Sequence, residues 1–186
     1  MSAPFATTRL VAENDLGDTD RTLIRDLLTA AFPGHAALWL ARDFWGGPLE
    51  YRLLLRDVAG RLAGHLGFAR RLIRINDQPV LIAGIGAVAI LPDWQGQGAG
   101  RQLLAALKAC LATNAMVDFG FLQCRDDVIG FYEKSGFHRI RQPVRSFDPD
   151  RLVWQTDDTA TLILPVALPL QAWPRDGIVD LMGMPW

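Results

Sequence analysis

The residues best placed to do chemistry run from Gln95 to Arg101, as Gln95-Gly96-Gln97-Gly98-Ala99-Gly100-Arg101. An apolar stretch stops at Pro92 just before them, and a helical pattern begins at once after them. A strand, a loop of bare backbone amides and a helix N-terminus together make an anion site. The helix dipole and the unpaired N–H groups of the first turn point into the loop. Gly96, Gly98 and Gly100 let that backbone lie close against a phosphate without Cβ clashes. The loop has no Gly-Lys-Ser/Thr, which excludes a nucleotide P-loop. No acid-ended strand follows at the distance a dinucleotide fold requires. The expected ligand is a pyrophosphate.

About thirty residues downstream stands Gly130-Phe131-Tyr132-Glu133-Lys134-Ser135-Gly136-Phe137. It places a phenol one turn before a helix end that Gly136 terminates. Other chemistry is poorly supported. No His/Cys/Asp cluster has metal-ligand spacing, so no metal is expected, and no Gly-x-Ser-x-Gly elbow is present for a hydrolase. Cys110 and Cys124 form no motif and read as buried free thiols. His35, Asp43, Glu50, His65, Asp126 and the acids of the tail are candidate bases, each more simply structural or solvated. Arg70, Arg71 and Arg74 form a basic run whose plain reading is a solvated face and whose sharper reading is contact with an acidic carrier protein. The net charge of −1 gives no electrostatic case for nucleic acid. No apolar run reaches the roughly 18 residues of a membrane span, and no signal peptide is visible. A cytoplasmic protein is the default expectation.

The elements that must position these residues follow from periodicity. At 186 residues, with half of them hydrophobic, one domain with one core is expected over 1–186. Phe5 to Val11 reads as a first strand. Asp18 or Thr19 can cap a helix to about Phe32, with Leu23, Ile24, Leu27, Leu28 and Ala31 on one face. His35 to Pro48 is aromatic, with room for a second short helix. Glu50 to Asp57 alternates, with Tyr51, Leu53 and Leu55 on one face and Arg52 and Arg56 on the other, which predicts a half-exposed strand. Arg61 to Ile75 returns antiparallel to it, and 79–91, apolar on both faces, is central. Gly84 and Gly86 there predict a bulge or a close backbone approach. A helix from Gly98 to about Thr113 and a strand 117–124 complete a right-handed crossover between parallel strands. A further helix opens at Arg125-Asp126-Asp127. Strands follow at 137–147 and 159–166. The tail, 167–186, is rich in proline and glycine, so it reads as neither a long helix nor a central strand.

With the loop and the downstream motif at this separation, the chain resembles the GNAT superfamily of N-acetyltransferases. Its Gln/Arg-x-x-Gly-x-Gly/Ala loop is met by Gln95, Gly98 and Gly100, and its Phe-Tyr pair followed by Gly-Phe is met by Phe131, Tyr132, Gly136 and Phe137. The resemblance implies an α/β (α+β) fold. Its central sheet is mixed and mostly antiparallel, of about 6–7 strands, splayed between 79–91 and 117–124, with helices on both faces. It implies acetyl-CoA as co-substrate, with Val88, Ala89 and Ile90 lying against the pantetheine arm. Gln95, Gly96, Gln97, Gly98, Ala99, Gly100 and Arg101 would hold the pyrophosphate, and Tyr132 would give a proton to the departing sulfur. Some relatives carry a carboxylate where this chain has Gly84, Ile85, Gly86 and Ala87, so the base is left open.

The tail resembles that of two branches, the aminoglycoside 2′-N-acetyltransferases and the nodulation-protein A acyltransferases. The first implies that Asp180 and the carboxylate of Trp186 bind substrate amines, with the tail lying over the acceptor site. The expected activity is acetyl transfer from acetyl-CoA to a primary amine of a small molecule, an amino sugar among the options. Transfer of longer acyl chains and a non-catalytic CoA-binding module are the alternatives. The expected partners are the amine acceptor, with no nucleic acid and no membrane, and a homodimer is compatible with the reading.

Overall fold

A computed structural model of the chain describes residues 5–186, except for the side chains of Phe5, Ala6, Asn114 and Ala115. In chain order the elements are β1 (Phe5–Ala12), α1 (Asp18–Ala31), α2 (Ala36–Ala41), β2 (Tyr51–Asp57), β3 (Leu62–Ile75), β4 (Gln78–Ile90) and α3 (Ala99–Cys110). Then come β5 (Phe119–Gln123), α4 (Ile129–Glu133), β6 (His138–Ile140), β7 (Val144–Asp148), β8 (Val153–Asp157), β9 (Thr161–Pro165) and β10 (Val179–Asp180). Among the described residues, no helix is long and apolar enough to cross a membrane.

The described strands form one sheet of ten, more than the 6–7 expected. Its main path runs β6-β9-β5-β4-β3-β10-β7-β8, and β2 pairs with both β1 and β3. The pairing is antiparallel except for β4 with β5 and β10 with β7. Three differences account for the extra strands. The segment 137–147 is two strands: β6 pairs with β9, while β7 pairs with β8 and β10. Pro143 stands in the break, where it has no N–H to give to a ladder. The hairpin strand β8 carries no clear strand signal in the sequence, because its polar and apolar residues mix. The tail does supply an internal strand: Val179 and Asp180 lie between β3 and β7. They fall in the proline-free stretch Gly177 to Leu181, which leaves their N–H groups available.

α1 begins at Asp18 behind Gly17, and no side chain caps it, so neither Asp18 nor Thr19 serves that role. Asp18 and Asp20 instead occupy the first turn, where their charge suits the dipole. The core divides by sheet face. One cluster joins Ala83, Ile85, Leu103, Leu104, Leu107, Leu122 and Tyr132 under α3 and α4. On the other face, Ile82, Phe121, Trp173, Leu181 and Trp186 pack beneath the tail. A third cluster joins Ile24, Leu27, Leu28, Trp39 and Leu54 under α1 and α2.

β2 departs most from its expected character, because it is buried on both faces. Arg52 is fully buried, not half-exposed. Its Nε donates to Glu13 Oε2 at 2.7 Å, and its Nη2 donates to Asp43 Oδ1 at 2.9 Å. Nη1 donates to the Asp43 carbonyl at 2.7 Å. The loop after α2 and the turn after β1 cover this face and bring the two acids to the guanidinium. Alternation reveals which residues share a face, but not what later covers it.

Candidate active site

β4 and β5 pair at only three positions: Ile82 with Phe119, Ala83 with Gly120 and Gly84 with Phe121. Beyond Gly84 the ladder stops; the Ile85 carbonyl accepts the Trp186 indole N–H at 3.0 Å, and the β5-facing edge of β4 has no strand partner from there to Ile90. On the opposite edge β4 stays bonded to β3, and Leu91 N–H reaches the Ala63 carbonyl at 3.0 Å. Strand alternation therefore turns the N–H groups of Val88 and Ile90 into the gap. The Ile90 carbonyl accepts from Gln95 Nε2 at 3.1 Å, which ties the loop to the strand end.

The bulge predicted from the two glycines lies just after them. The register advances from His65–Ala89 to Gly67–Gly86, so β4 holds one extra residue. Ala87 has φ 50°, a left-handed conformation that costs a non-glycine residue about 1–2 kcal/mol. A buried imidazole holds it there: His65 Nδ1 lies 2.9 Å from the Ala87 carbonyl. Nε2 lies 3.4 Å from Arg52 Nη1, a group that can only donate. Nδ1 therefore carries the proton and donates to Ala87. The bulge also inverts side-chain parity. Before it, Ala83 and Ile85 face α3; after it, Val88 and Ile90 do.

Burial, assisted by the Arg52 charge and opposed by the Ala87 bond, pushes the His65 pKa down from 6.5 to about 3. Its folded value lies below the unfolded one. The unfolded chain therefore binds a proton that the folded chain does not, from pH 6.5 down to about 3. Stability is full above this window and falls as pH drops through it, at up to about 1.4 kcal/mol per pH unit. Glu13 adds to the loss below its ordinary value of 4.5. Burial alone would raise its pKa, but the bonds from Arg52 and Arg21 outweigh this and lower it. Thermal unfolding followed against pH should show a decline that begins near 6.5. In His65→Asn the decline should begin only near Glu13's range, and an unchanged onset would contradict this assignment.

The glycines of the anion loop have separate reasons. Gly96 and Gly98 have φ 75° and 89°, and Gly98 is the residue before α3. Gly100 is pressed by its neighbour, since a Cβ there would lie 2.8 Å from Phe131 Cζ. No side chain caps α3. Its first internal bond is Gln102 N–H to the Gly98 carbonyl at 3.0 Å, so the amides of Ala99, Gly100 and Arg101 have no partner within the helix. Gln97 Nε2 donates to the Asp93 carbonyl at 2.7 Å and braces the loop.

Tyr132 is buried on α4, edge-on to Phe131 at 5.1 Å and to Phe137 at 5.6 Å. It shares an apolar cluster with Val88, Ile90 and Phe131, and Phe131 lies against Gly100 at the start of α3. Burial, with a smaller contribution from Cys124, pushes the phenol well above its ordinary range and keeps it protonated at neutral pH. Cys124 is half-buried and pushed up to about 11, by burial first and by Asp126 second.

The two tail residues part company. Asp180 pairs with Arg145 Nη1 at 2.5 Å and accepts the Met182 N–H at 2.8 Å. Trp186 is buried on the sheet face opposite α3, against Gly84 and Gly86. Those glycines thus also supply the close approach. Arg71, part of the basic run, is half-buried and stands over the Trp186 ring at 5.0 Å. It donates to the Met184 carbonyl, so it clasps the tail and is not a solvated residue. Arg70 pairs with Glu50.

Among the base candidates, Asp43 is held by Arg52 and Arg21. Glu50 is held by Arg70, Asp126 lies 3.6 Å from Arg139, and His65 stays neutral. His35 stands edge-on to the exposed Trp45 at 4.9 Å. Both line a cleft of about 600 Å³ together with Arg42, Phe147, Asp150 and Pro185. The sequence signalled aromatics here, but not that the β7–β8 hairpin would form the other wall.

A family model described as Nodulation protein A (NodA) matches residues 6–185, nearly the whole chain. The chain belongs to the nodulation protein A family. Nodulation protein A of Rhizobium leguminosarum bv. trifolii is 26% identical over 191 residues, covering 94% of this chain and 95% of that one. The Mesorhizobium plurifarium protein is 28% identical over 191 residues, with the same coverage of 94% and 95%. Among solved structures, a GNAT family N-acetyltransferase from Escherichia coli in complex with CoA superimposes with a TM-score of 0.62 at 19% identity. That match covers 97% of this chain and 92% of the other. An acyl-CoA N-acyltransferase from Pseudomonas aeruginosa gives a TM-score of 0.56 at 16% identity, covering 85% and 98%. The nodulation protein A sequence is thus carried on the fold of the GNAT acetyltransferases.

Proposed function

We propose that this member of the nodulation protein A family transfers an acetyl group from acetyl-CoA to a primary amine of a small molecule, by direct attack within a ternary complex. The observation that carries this reading is the open edge of β4. It ends at a loop with two left-handed glycines and an uncapped helix. The amides from Gln95 to Arg101 bind the pyrophosphate, and the Val88 and Ile90 N–H groups pair with the pantetheine arm. One N–H of that edge faces the thioester oxygen as negative charge develops there. A donor so aimed is worth roughly 3 kcal/mol. Tyr132, held protonated, donates to the sulfur as the C–S bond breaks. The proton that the amine loses balances the one taken up by the thiolate. The amine enters already neutral, since the base candidates Asp43, Glu50 and Asp126 are engaged by arginines. An amino sugar suits the cleft beside Trp45 and His35, where an aromatic face and both signs of charge are available.

Membership of the nodulation protein A family supports a second reading, in which the acyl chain is longer. A thiol-release assay tests both. It uses acetyl-CoA and longer acyl-CoA thioesters with glucosamine and a panel of other amines. Amine-dependent release from acetyl-CoA is the expected result. Release confined to long-chain thioesters would move the reading to the second, and no release from any thioester would sink both.

A further inference from the structure

The peptide unit between Ala87 and Val88 lies in the bulge, outside the strand register. Pairing with β3 passes from His65–Ala89 to Gly67–Gly86 and gives neither residue a partner. A side chain holds the unit instead. His65 on β3 is fully buried, and its Nδ1–H donates to the Ala87 carbonyl at 2.9 Å. The imidazole is itself held. Arg52 Nη1, which can only donate, stands 3.4 Å from Nε2, and Arg52 is anchored by Glu13 and Asp43. The Ala87 carbonyl and the Val88 N–H belong to one planar peptide group. No described peptide bond is cis, so the carbonyl and the N–H point in opposite directions. β4 lies between β3 and β5. A carbonyl held from the β3 side therefore turns the Val88 N–H toward β5, in the stretch where β4 has lost that partner.

We propose that His65 is a positioning residue for acyl transfer: by fixing the Ala87 carbonyl it aims the Val88 N–H at the thioester oxygen. The proposal rests on the acyl-CoA reading above. It holds for an acyl group of any length, because it concerns only the carbonyl next to sulfur. Ile90 pairs with Gly64, so the ladder directs its N–H, which suits the pantetheine arm. The Val88 N–H is the donor whose direction depends on a side chain. Rotating its peptide would swing the N–H out of the gap and leave both the imidazole N–H and the Ala87 carbonyl unpaired. A donor fixed beforehand needs no reorganisation when charge builds on the oxygen. As the amine adds, the N–C bond forms and the oxygen takes up negative charge. The C–S bond then breaks, the carbonyl re-forms, and the proton lost by the amine offsets the one gained by the thiolate. His65 itself gains and loses no proton.

The test compares the full chain with His65→Leu and His65→Asn. Acetyl-CoA and octanoyl-CoA labelled with carbon-13 at the carbonyl report the bond directly, because a hydrogen bond at the oxygen moves that resonance downfield. Wild type should show the displacement on binding, and His65→Leu should lose it. His65→Asn, whose side-chain amide can stand in for Nδ1–H, should keep it. In thiol release with the best amine of the panel above, kcat of His65→Leu should fall about 10²–10³-fold, as when one oxyanion donor is lost, with KM for the thioester little changed. His65→Asn should recover most of that loss. An unchanged displacement or kcat in His65→Leu would overturn the aiming role and leave the acyl-CoA reading intact. Equal losses in both variants would do the same, marking His65 as a packing residue. If the leucine variant does not fold, the imidazole nitrogen-15 spectrum of the wild type decides. Nδ1 should be protonated and Nε2 bare at neutral pH, and the opposite tautomer would overturn the proposal. Failure of wild type to bind either thioester would overturn both this and the acyl-CoA reading.

Discussion

Tyr132→Phe is expected to lower kcat for acyl transfer by about 10²–10⁴-fold, the range for losing a positioned proton donor. The affinity for acetyl-CoA and the unfolding temperature should change little. The substitution removes one oxygen and keeps the ring that packs between Phe131 and Phe137. The raised pKa makes the effect specific. Burial keeps the phenol protonated through neutral pH, so the donor is fully present in wild type and fully absent in the variant. A thiol of pKa about 8.5 is a modest leaving group as a bare thiolate, and a hydrogen bond at sulfur in the transition state lowers that cost. Steady-state kinetics together with titration separate the outcomes. If kcat is retained, Tyr132 serves packing alone.

Arg52→Met should be the most damaging single change away from the gap, costing about 3–5 kcal/mol, as expected when one partner of a buried ion pair is removed. For a chain of this size that is a fall of about 6–20 °C in the unfolding midpoint. The variant strands Asp43, which is 5% exposed, with only its 3.3 Å contact to Arg21. It also removes the donor that makes His65 Nε2 an acceptor, which loosens the hold on the Ala87 carbonyl. Adding Asp43→Asn to the variant should recover part of the loss, because the uncompensated charge is then gone. Differential scanning calorimetry of the three proteins decides it. An unchanged midpoint for Arg52→Met would show that the network contributes nothing net.

The parts of this site that depend on local chain geometry were legible in the sequence. Gly96 and Gly98 announced a turn that only glycine makes easily, and the periodic run after them announced α3. Gly84 and Gly86 announced an irregular strand. What escaped was set by distant segments. Alternation in β2 put Arg52 on a polar face, but only the loop after α2 and the turn at Glu13 decide that this face is covered. The sequence offers Gly100 as clearance for a phosphate, whereas its near neighbour is Phe131, thirty-one positions on. The proline-rich tail hid a two-residue strand and a tryptophan seated on β4, because nothing near residue 186 encodes the empty floor at residues 84 and 86. His65 looked like one base candidate among several. Its role as the clamp on the bulge needs the pairing of β3 with β4.

The central claim is that CoA lies along the open edge of β4 with its pyrophosphate on the loop. Amide NMR of the full chain titrated with CoA tests it most directly. The largest shift changes should fall on Val88, Ile90, Gly96, Gly98, Ala99, Gly100 and Arg101, and Gly98→Val should weaken binding at the same sites. No binding, or binding whose shifts cluster away from β4 and the start of α3, would contradict the account.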